Sequence, residues 1–428
     1  MSQKQLLDKI TKFYNRSSDF NGIPLDNLNP SEKILKELKE LLIAGKIVFN
    51  FGDRHPNPHI LAFEPESAKK QLAKLKKLNI SKPTFEDLGS FKIQKGGTGC
   101  CIYPSKKHLR SLNIKKYKNK PYTALLTAGE PQLAYRVFGL RVLEFYRNDP
   151  RYSYEVDDIS GSISVKGKSK LKKQEEAFIQ TFGFAYDKKL KHRYVAVFIR
   201  YLSDLNSAHQ QRWKLEEAKG KTFLHPDYSR ATCGHFPERE SVFTAFCEEI
   251  RVINEMTQKI YGKKIFKDDY GRDNRPKKFS FLIRPTKNEY LDFVQLLDKM
   301  MADNLNKDFF DGKIEMKTIK EVGNKIMEEN KGTVTLLNEW LDQEIKFSDP
   351  GPKNEMIKTF RQVRTARSVP SHHLKEDEWA NKFFSDQRTL IIKAYKAVRT
   401  LRLIFTNHPI AKSVEVPEDI FKGNIWNF

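Results

Sequence analysis

The change of character at Pro285 constrains this chain more than any other feature. Beyond it, apolar residues recur at helical spacing to about residue 407. The segments are separated by Gly332, by Asp349-Pro350-Gly351-Pro352 and by Val369-Pro370. The stretch 288–303 is amphipathic through Tyr290, Phe293, Leu296, Leu297 and Met300, and 318–330, 334–345, 353–368 and 376–406 follow it. Helices joined by such short breakers can bury their apolar stripes only against one another. That pattern predicts a compact all-α bundle over 286–428.

Upstream the periodicity alternates. Residues 1–85 read as mostly helical, with Ile34, Leu35, Leu38, Leu41 and Leu42 spaced along 32–44 behind the start signal Asn29-Pro30-Ser31, and a short strand at 47–51. From 86 to about 205 strand patterns dominate, at 91–93, 124–126, 159–165, 178–186 and 194–201, with a helix expected over 133–146. The stretch 206–275 turns helical, notably at 240–261, and 279–283 is one last strand-like run. The expected fold class is therefore α+β: a mixed N-terminal region with a strand-rich middle, followed by the all-α C-terminal bundle. The corresponding division is 1–85, 86–285 (a basic region for binding or sensing) and 286–428.

Composition removes whole classes of protein. With 12% aromatic residues the chain of 428 residues has the material for packed cores and is not intrinsically disordered. Four cysteines are too few for a disulfide-framed scaffold or a Cys-rich zinc fold. No long uncharged apolar run is present, and the opening segment carries acids where a secretion leader would be apolar. These features predict a cytoplasmic protein with no membrane partner.

Charge then narrows the partner. Lys and Arg total 77 against 54 acids, a formal net charge of +23, and counterion release makes such a chain a general binder of phosphate backbones. A lysine-rich background would give the same total, so the clustering is what informs. Lys106, Lys107, Arg110, Lys115, Lys116, Lys118 and Lys120 fall between Pro104 and Pro121 with no acid among them. Lys166, Lys168, Lys170, Lys172 and Lys173, interleaved with small residues, read as a hairpin tip, and Lys188, Lys189, Lys191 and Arg193 form a third run. Lysine loops suit adjustable phosphate contact and carry no base readout.

One helix carries candidate chemistry. Over 353–368 the stripe Met356, Phe360, Val363 continues to Arg367, with Arg364 on its flank. A guanidinium on a core-facing stripe must be paired or must line a cleft. Pro370 then ends the helix and His372 and His373 follow, which keeps a permanently charged donor fork close to a base that titrates near neutrality.

Arg367-Ser-Val-Pro-Ser-His372, at a helix-to-helix break in a C-terminal helical bundle, resembles the HEPN ribonucleases, whose signature is Arg, four to six residues, then His. The resemblance covers roughly the last 110 to 140 residues. The residue after the family's Arg is often Asn, Asp or His and is Ser368 here; His373 gives a spacing of five and is equally admissible. The resemblance implies metal-independent RNA cleavage with no cofactor. A histidine would move the ribose 2′-OH or leaving-group proton and Arg367 would stabilise phosphoryl charge, with Arg364 auxiliary. It further implies a homodimer through the bundle, a role in toxin or antiphage systems, and a regulatory or trigger protein. The competing expectation is a non-catalytic nucleic-acid-binding protein, or a subunit of a larger complex, working through the lysine clusters. A third places metal chemistry at Asp53, His55 and His59. Cys233, His235 and Cys247 lack paired zinc spacing, 96–99 lacks a P-loop ending, and Asp268, Asp269 and Asp273 read as a solvated loop.

Overall fold

A computed structural model describes the chain except for residues 18–19, 53–65, 79–83, 89–90, 96–97, 113–116, 168, 190–191, 233, 236–238, 272–273, 277, 323–324, 369–375 and 427–428. It divides into two compact units. The first comprises 1–156, 160–185 and 194–220; the second comprises 157–159, 186–193 and 221–428. The fold is mixed α+β, strand-rich in the middle and helical toward the C-terminus. Among the described residues no helix is long and apolar enough to cross a membrane.

In the first unit, α1 (Gln3–Arg16), β1 (Ile23–Pro24), α2 (Glu32–Ile43), β2 (Ile47–Phe51) and α3 (Ala68–Lys77) lead to the hairpin of β3 (Thr84–Leu88) and β4 (Phe91–Lys95), then to β5 (Cys100–Pro104). The strands β1, β5 and β2 form an antiparallel sheet in that order, with Phe49 opposite Ile102. Leu6, Ile10, Leu38, Leu41, Phe49 and Ile102 belong to its core; of the apolar stripe read over 32–44, Leu38, Leu41 and Leu42 are buried and Ile34 and Leu35 only partly so. Next come α4 (Lys106–Ser111), α5 (Pro121–Thr127), β6 (Tyr135–Gly139), α6 (Glu144–Asn148), β7 (Tyr152–Val156), β8 (Ser160–Val165), β9 (Ile179–Asp187), β10 (Arg193–Phe198), α7 (Ile199–Asp204) and α8 (Ser207–Leu215). The order β6-β10-β9-β8-β7 is antiparallel in the pairs β6–β10, β8–β9 and β7–β8.

Two expectations here are corrected. Residues 124–126 belong to helix α5, because Pro121 sits in its first turn, where a missing N–H is harmless, and Ala124, Leu125 and Leu126 are good helix formers. Residues 133–146 are not one helix. Tyr135, Val137 and Phe138 pair with β10, Phe138 is fully buried, and only 144–148 is α-helical.

The second unit holds β11 (Thr222–Leu224), α9 (Pro226–Ala231), β12 (Glu240–Ser241), α10 (Val242–Tyr261), α11 (Lys287–Met300), α12 (Lys307–Phe310), the hairpin β13 (Lys317–Val322) and β14 (Lys325–Asn330), α13 (Thr333–Glu344), α14 (Gly351–Ser368), α15 (Lys382–Thr406), α16 (Glu418–Lys422) and β15 (Ile425–Trp426). Ser241 caps α10 by accepting from the Thr244 N–H, and Gly262 ends it at φ +70°, a left-handed conformation that a side chain would oppose. Thr286 caps α11 in the same way through the Glu289 N–H. α10 and α14 both lie along α15, and α11 lies on α14. Phe246, Ile253, Phe293, Leu297, Trp340, Phe360, Ile391 and Val398 belong to one shared core, so it extends N-terminal of Pro285 through α10.

The helix expected over 318–330 is an antiparallel hairpin, Lys317 opposite Asn330 and Val322 opposite Lys325. The two runs are separated by Gly323-Asn324, a dipeptide suited to a two-residue hairpin connection, and that signal outweighs the weak apolar spacing. The helical C-terminal region is thus interrupted by a two-stranded insertion. Residues 279–283 form no strand, although Phe279 is buried in the core, and the last long helix begins at Lys382 where 376 was expected.

An ion pair lies inside this core. Arg402 of α15 donates to Glu249 of α10 at 2.5 Å, both side chains essentially without solvent exposure. Burial pushes the Glu249 carboxyl up to about 6, with Arg402 opposing the shift. Replacing Glu249 with Leu, or Arg402 with Met, strands a buried charge or removes its partner and should lower stability by about 3–5 kcal/mol. The double replacement should lose less than the sum of the singles, as denaturant unfolding of the three variants will show.

Candidate active site and nucleic-acid interface

The apolar stripe of α14 is buried as far as Val363. One turn later Arg367 reaches the edge of the unit, its side chain 37% exposed, and its guanidinium is paired, as a cation leaving a core stripe must be. Arg367 Nη1 donates to Oδ2 of Asp298 at 2.8 Å and also to Oδ2 of Asp303. Arg364, one turn back, places its Nη1 2.8 Å from the other oxygen of Asp303. The hydrogen bonds that Arg367 donates to Asp298 and Asp303 hold its pKa above that of an ordinary arginine. The two carboxylates differ in setting. Asp298 is fully buried on α11, whereas Asp303 sits on the turn after α11 and is one-third exposed. That turn is pinned from both sides, the Asp303 N–H donating to the Asp298 carbonyl at 3.0 Å and Lys267 Nζ donating to the Asp303 carbonyl at 2.7 Å.

Asp298 Oδ1 has no hydrogen-bond partner among the described residues. The buried carboxylate therefore retains acceptor capacity near the end of α14, beyond which the chain runs into 369–375. His372 and His373 lie outside the described residues. Asp377, close to His372 and His373 in sequence, accepts from the Asn288 N–H at the start of α11.

Asp298 was missed by sequence reading, and a signal for it exists. It follows Val294 by four residues on the buried side of α11, so it is a carboxylate on an apolar face that demands a cation. Asp303 carries no such signal, because its role follows from the path of the turn.

In the first unit, Lys106, Lys107 and Arg110 are exposed on α4, Arg110 pairing with Glu130 at 3.1 Å. Lys118 and Lys120 are exposed before α5, and Lys166, Lys170, Lys172 and Lys173 are exposed on the connection between β8 and β9. Lys115, Lys116 and Lys168 lie outside the described residues. Both basic segments end on the first turns of α8. Buried Gln210 accepts from the N–H groups of Tyr122 and Thr123, at 3.1 and 3.3 Å, immediately after Lys120. Four residues earlier, Asn206 donates to the carbonyls of Gln174 and Glu176, each at 3.0 Å, immediately after Lys173. His209 between them joins a closed chain: Trp213 Nε1 donates to the Tyr146 hydroxyl, which lies 2.8 Å from His209 Nδ1, while His209 Nε2 faces the Glu175 carbonyl at 3.3 Å. Burial lowers the His209 pKa, and with both ring nitrogens engaged it is a structural imidazole.

Asp53, His55, His59, Cys233 and Asp273 lie outside the described residues, and among the described residues no group of His, Cys, Asp and Glu is arranged to hold a metal. Cys247 is a buried core thiol pushed up to about 12 by desolvation. Thr98 bonds Asp26 through both its N–H and its hydroxyl, and Gly96 and Gly97 lie outside the described residues. Comparison with protein families, with characterised proteins and with solved structures finds no match to this chain.

Gln210 is the residue on which this arrangement depends. Gln210→Leu leaves one buried and one partly buried N–H group of α5 without their acceptor and should cost about 2–3 kcal/mol. Faster hydrogen exchange at the Tyr122 and Thr123 amides should accompany the loss, since exchange reports local opening.

Proposed function

We propose that the chain is a metal-independent endoribonuclease of the HEPN type, acting as the effector of a toxin or antiphage system. The observation that supports this reading most is the placement of Arg367. It stands on the last turn of a bundle helix, partly exposed, oriented by a buried carboxylate, with the His372 and His373 sequence directly following and the long α15 next in the chain. An anionic transition state needs such a preorganised donor fork.

On this reading RNA is cleaved by its own 2′-oxygen. His372 or His373 takes the 2′-OH proton as the oxygen attacks phosphorus, the P–O5′ bond breaks, and the 5′-oxygen receives a proton. Arg367 neutralises charge growing on the non-bridging oxygens, and Arg364 assists. Products end in a 2′,3′-cyclic phosphate, and DNA, lacking the nucleophile, is spared. Two bundles pairing as a homodimer would bring both motifs to one cleft, and a trigger or regulatory protein would govern it.

The test is expression of wild type, Arg367→Ala and His372→Ala/His373→Ala with growth and total RNA followed together. Wild type should arrest growth and leave cyclic-phosphate RNA ends in EDTA, with at least a hundredfold loss in either variant. Equal behaviour of all three, with and without phage challenge, refutes the assignment.

A second reading, a nucleic-acid-binding protein without catalysis, is favoured by one observation, the convergence of two lysine segments on α8. It expects the salt dependence of single-strand binding to fall by about 0.7 in log–log slope for each phosphate-contacting lysine removed from Lys166, Lys170, Lys172 and Lys173. An unchanged slope in the quadruple Gln variant counts against it.

A further inference from the structure

We infer that Asp303 is an internal occupant of a phosphate position, and that an RNA phosphodiester displaces it from Arg364 and Arg367. The inference rests on the reading that this arginine pair faces RNA.

Asp303 uses its two oxygens on two different guanidiniums, Oδ1 on Arg364 and Oδ2 on Arg367. Two non-bridging oxygens of one phosphodiester can span the same pair of donors, since a planar fork accepts carboxylate and phosphate alike. Three further observations separate Asp303 from Asp298. Asp303 is partly open to solvent, as are both arginines, whereas Asp298 is fully buried. Asp303 is carried on a turn, whereas Asp298 is fixed within α11. Arg367 has a carboxylate partner besides Asp303, its contact with Asp298 being 2.8 Å.

The electrostatics favour exchange. Two arginines and two aspartates sum to zero, so bringing in one phosphodiester charge while Asp303 withdraws leaves the cluster neutral. Solvent-exposed ion pairs contribute little and are readily replaced, whereas a buried carboxylate deprived of its cation is expensive. Asp303 is thus the partner that can leave, and Asp298 the positioning residue that stays. Until RNA arrives, Asp303 holds both forks in phosphate-binding geometry and competes with weaker anions.

The exchange is tested on the full chain with a single-stranded 2′-O-methyl RNA, which binds like RNA and lacks the nucleophile. Asp303→Asn should tighten binding about fivefold. Asp311→Asn, which adds the same charge at an exposed residue outside the cluster, should change it less than about twofold. The gain should vanish when Asp303→Asn is combined with Arg364→Ala and Arg367→Ala. Asp303→Ser is the substitute if the Asn variant melts early. Binding by the Asp303 variants no tighter than by Asp311→Asn, or a gain that survives loss of both arginines, overturns the exchange. Cleavage is scored separately on unmodified RNA. Tighter binding without cleavage removes the nuclease reading and keeps the exchange, and cleavage without tighter binding does the reverse.

Discussion

Glu249 and Arg402 meet where neither can reach water, and the second unit is built outward from that meeting. A buried carboxylate and guanidinium must satisfy one another, and a displacement of α15 along α10 that parted them would leave both charges buried and unpaired. Along the remaining length of the two helices, Phe246, Ile250 and Ile253 and, on the other side, Ile391, Val398 and Leu401 contribute to the shared core. α14 then lies on α15 and α11 on α14. Because interiors are close-packed, a slip of α15 would be transmitted to both.

That transmission matters for the arginine cluster, whose parts come from two elements with no sequence proximity. Asp298 reaches Arg367 only because α11 crosses α14 near its last turn, and Asp303 reaches both arginines only because the turn after α11 is held by Lys267. Arg367 is consequently oriented by tertiary packing and not by its own helix.

What could be read from residues alone follows from this. The stripe Met356, Phe360, Val363 and the requirement that Arg367 be paired were legible, because both are local properties of a helix. The identities of the partners were not, since carboxylates sixty-odd residues away enter only through the crossing of α11. The hairpin at 317–330 was misread because its apolar residues are few and its turn dipeptide was passed over, and β6 because Tyr135, Val137 and Phe138 fit helix spacing until β10 claims them. The lysine segments were legible as charge. Their convergence on α8 was not, because Asn206 and Gln210 are ordinary polar residues whose role is visible only when the backbone groups they satisfy are known.

The distribution of charge separates two tasks. The arginine cluster is neutral as it stands, so the net charge of +23 resides elsewhere, much of it on exposed lysines. Phosphate contacts through lysine give affinity that is sensitive to salt and indifferent to sequence, while a paired guanidinium gives direction to a single phosphate. Uncompensated arginines side by side would attract polyanions strongly and hold none in a defined pose, because they repel one another and have no fixed geometry to offer. Compensating Arg364 and Arg367 with Asp298 and Asp303 sacrifices local affinity for orientation.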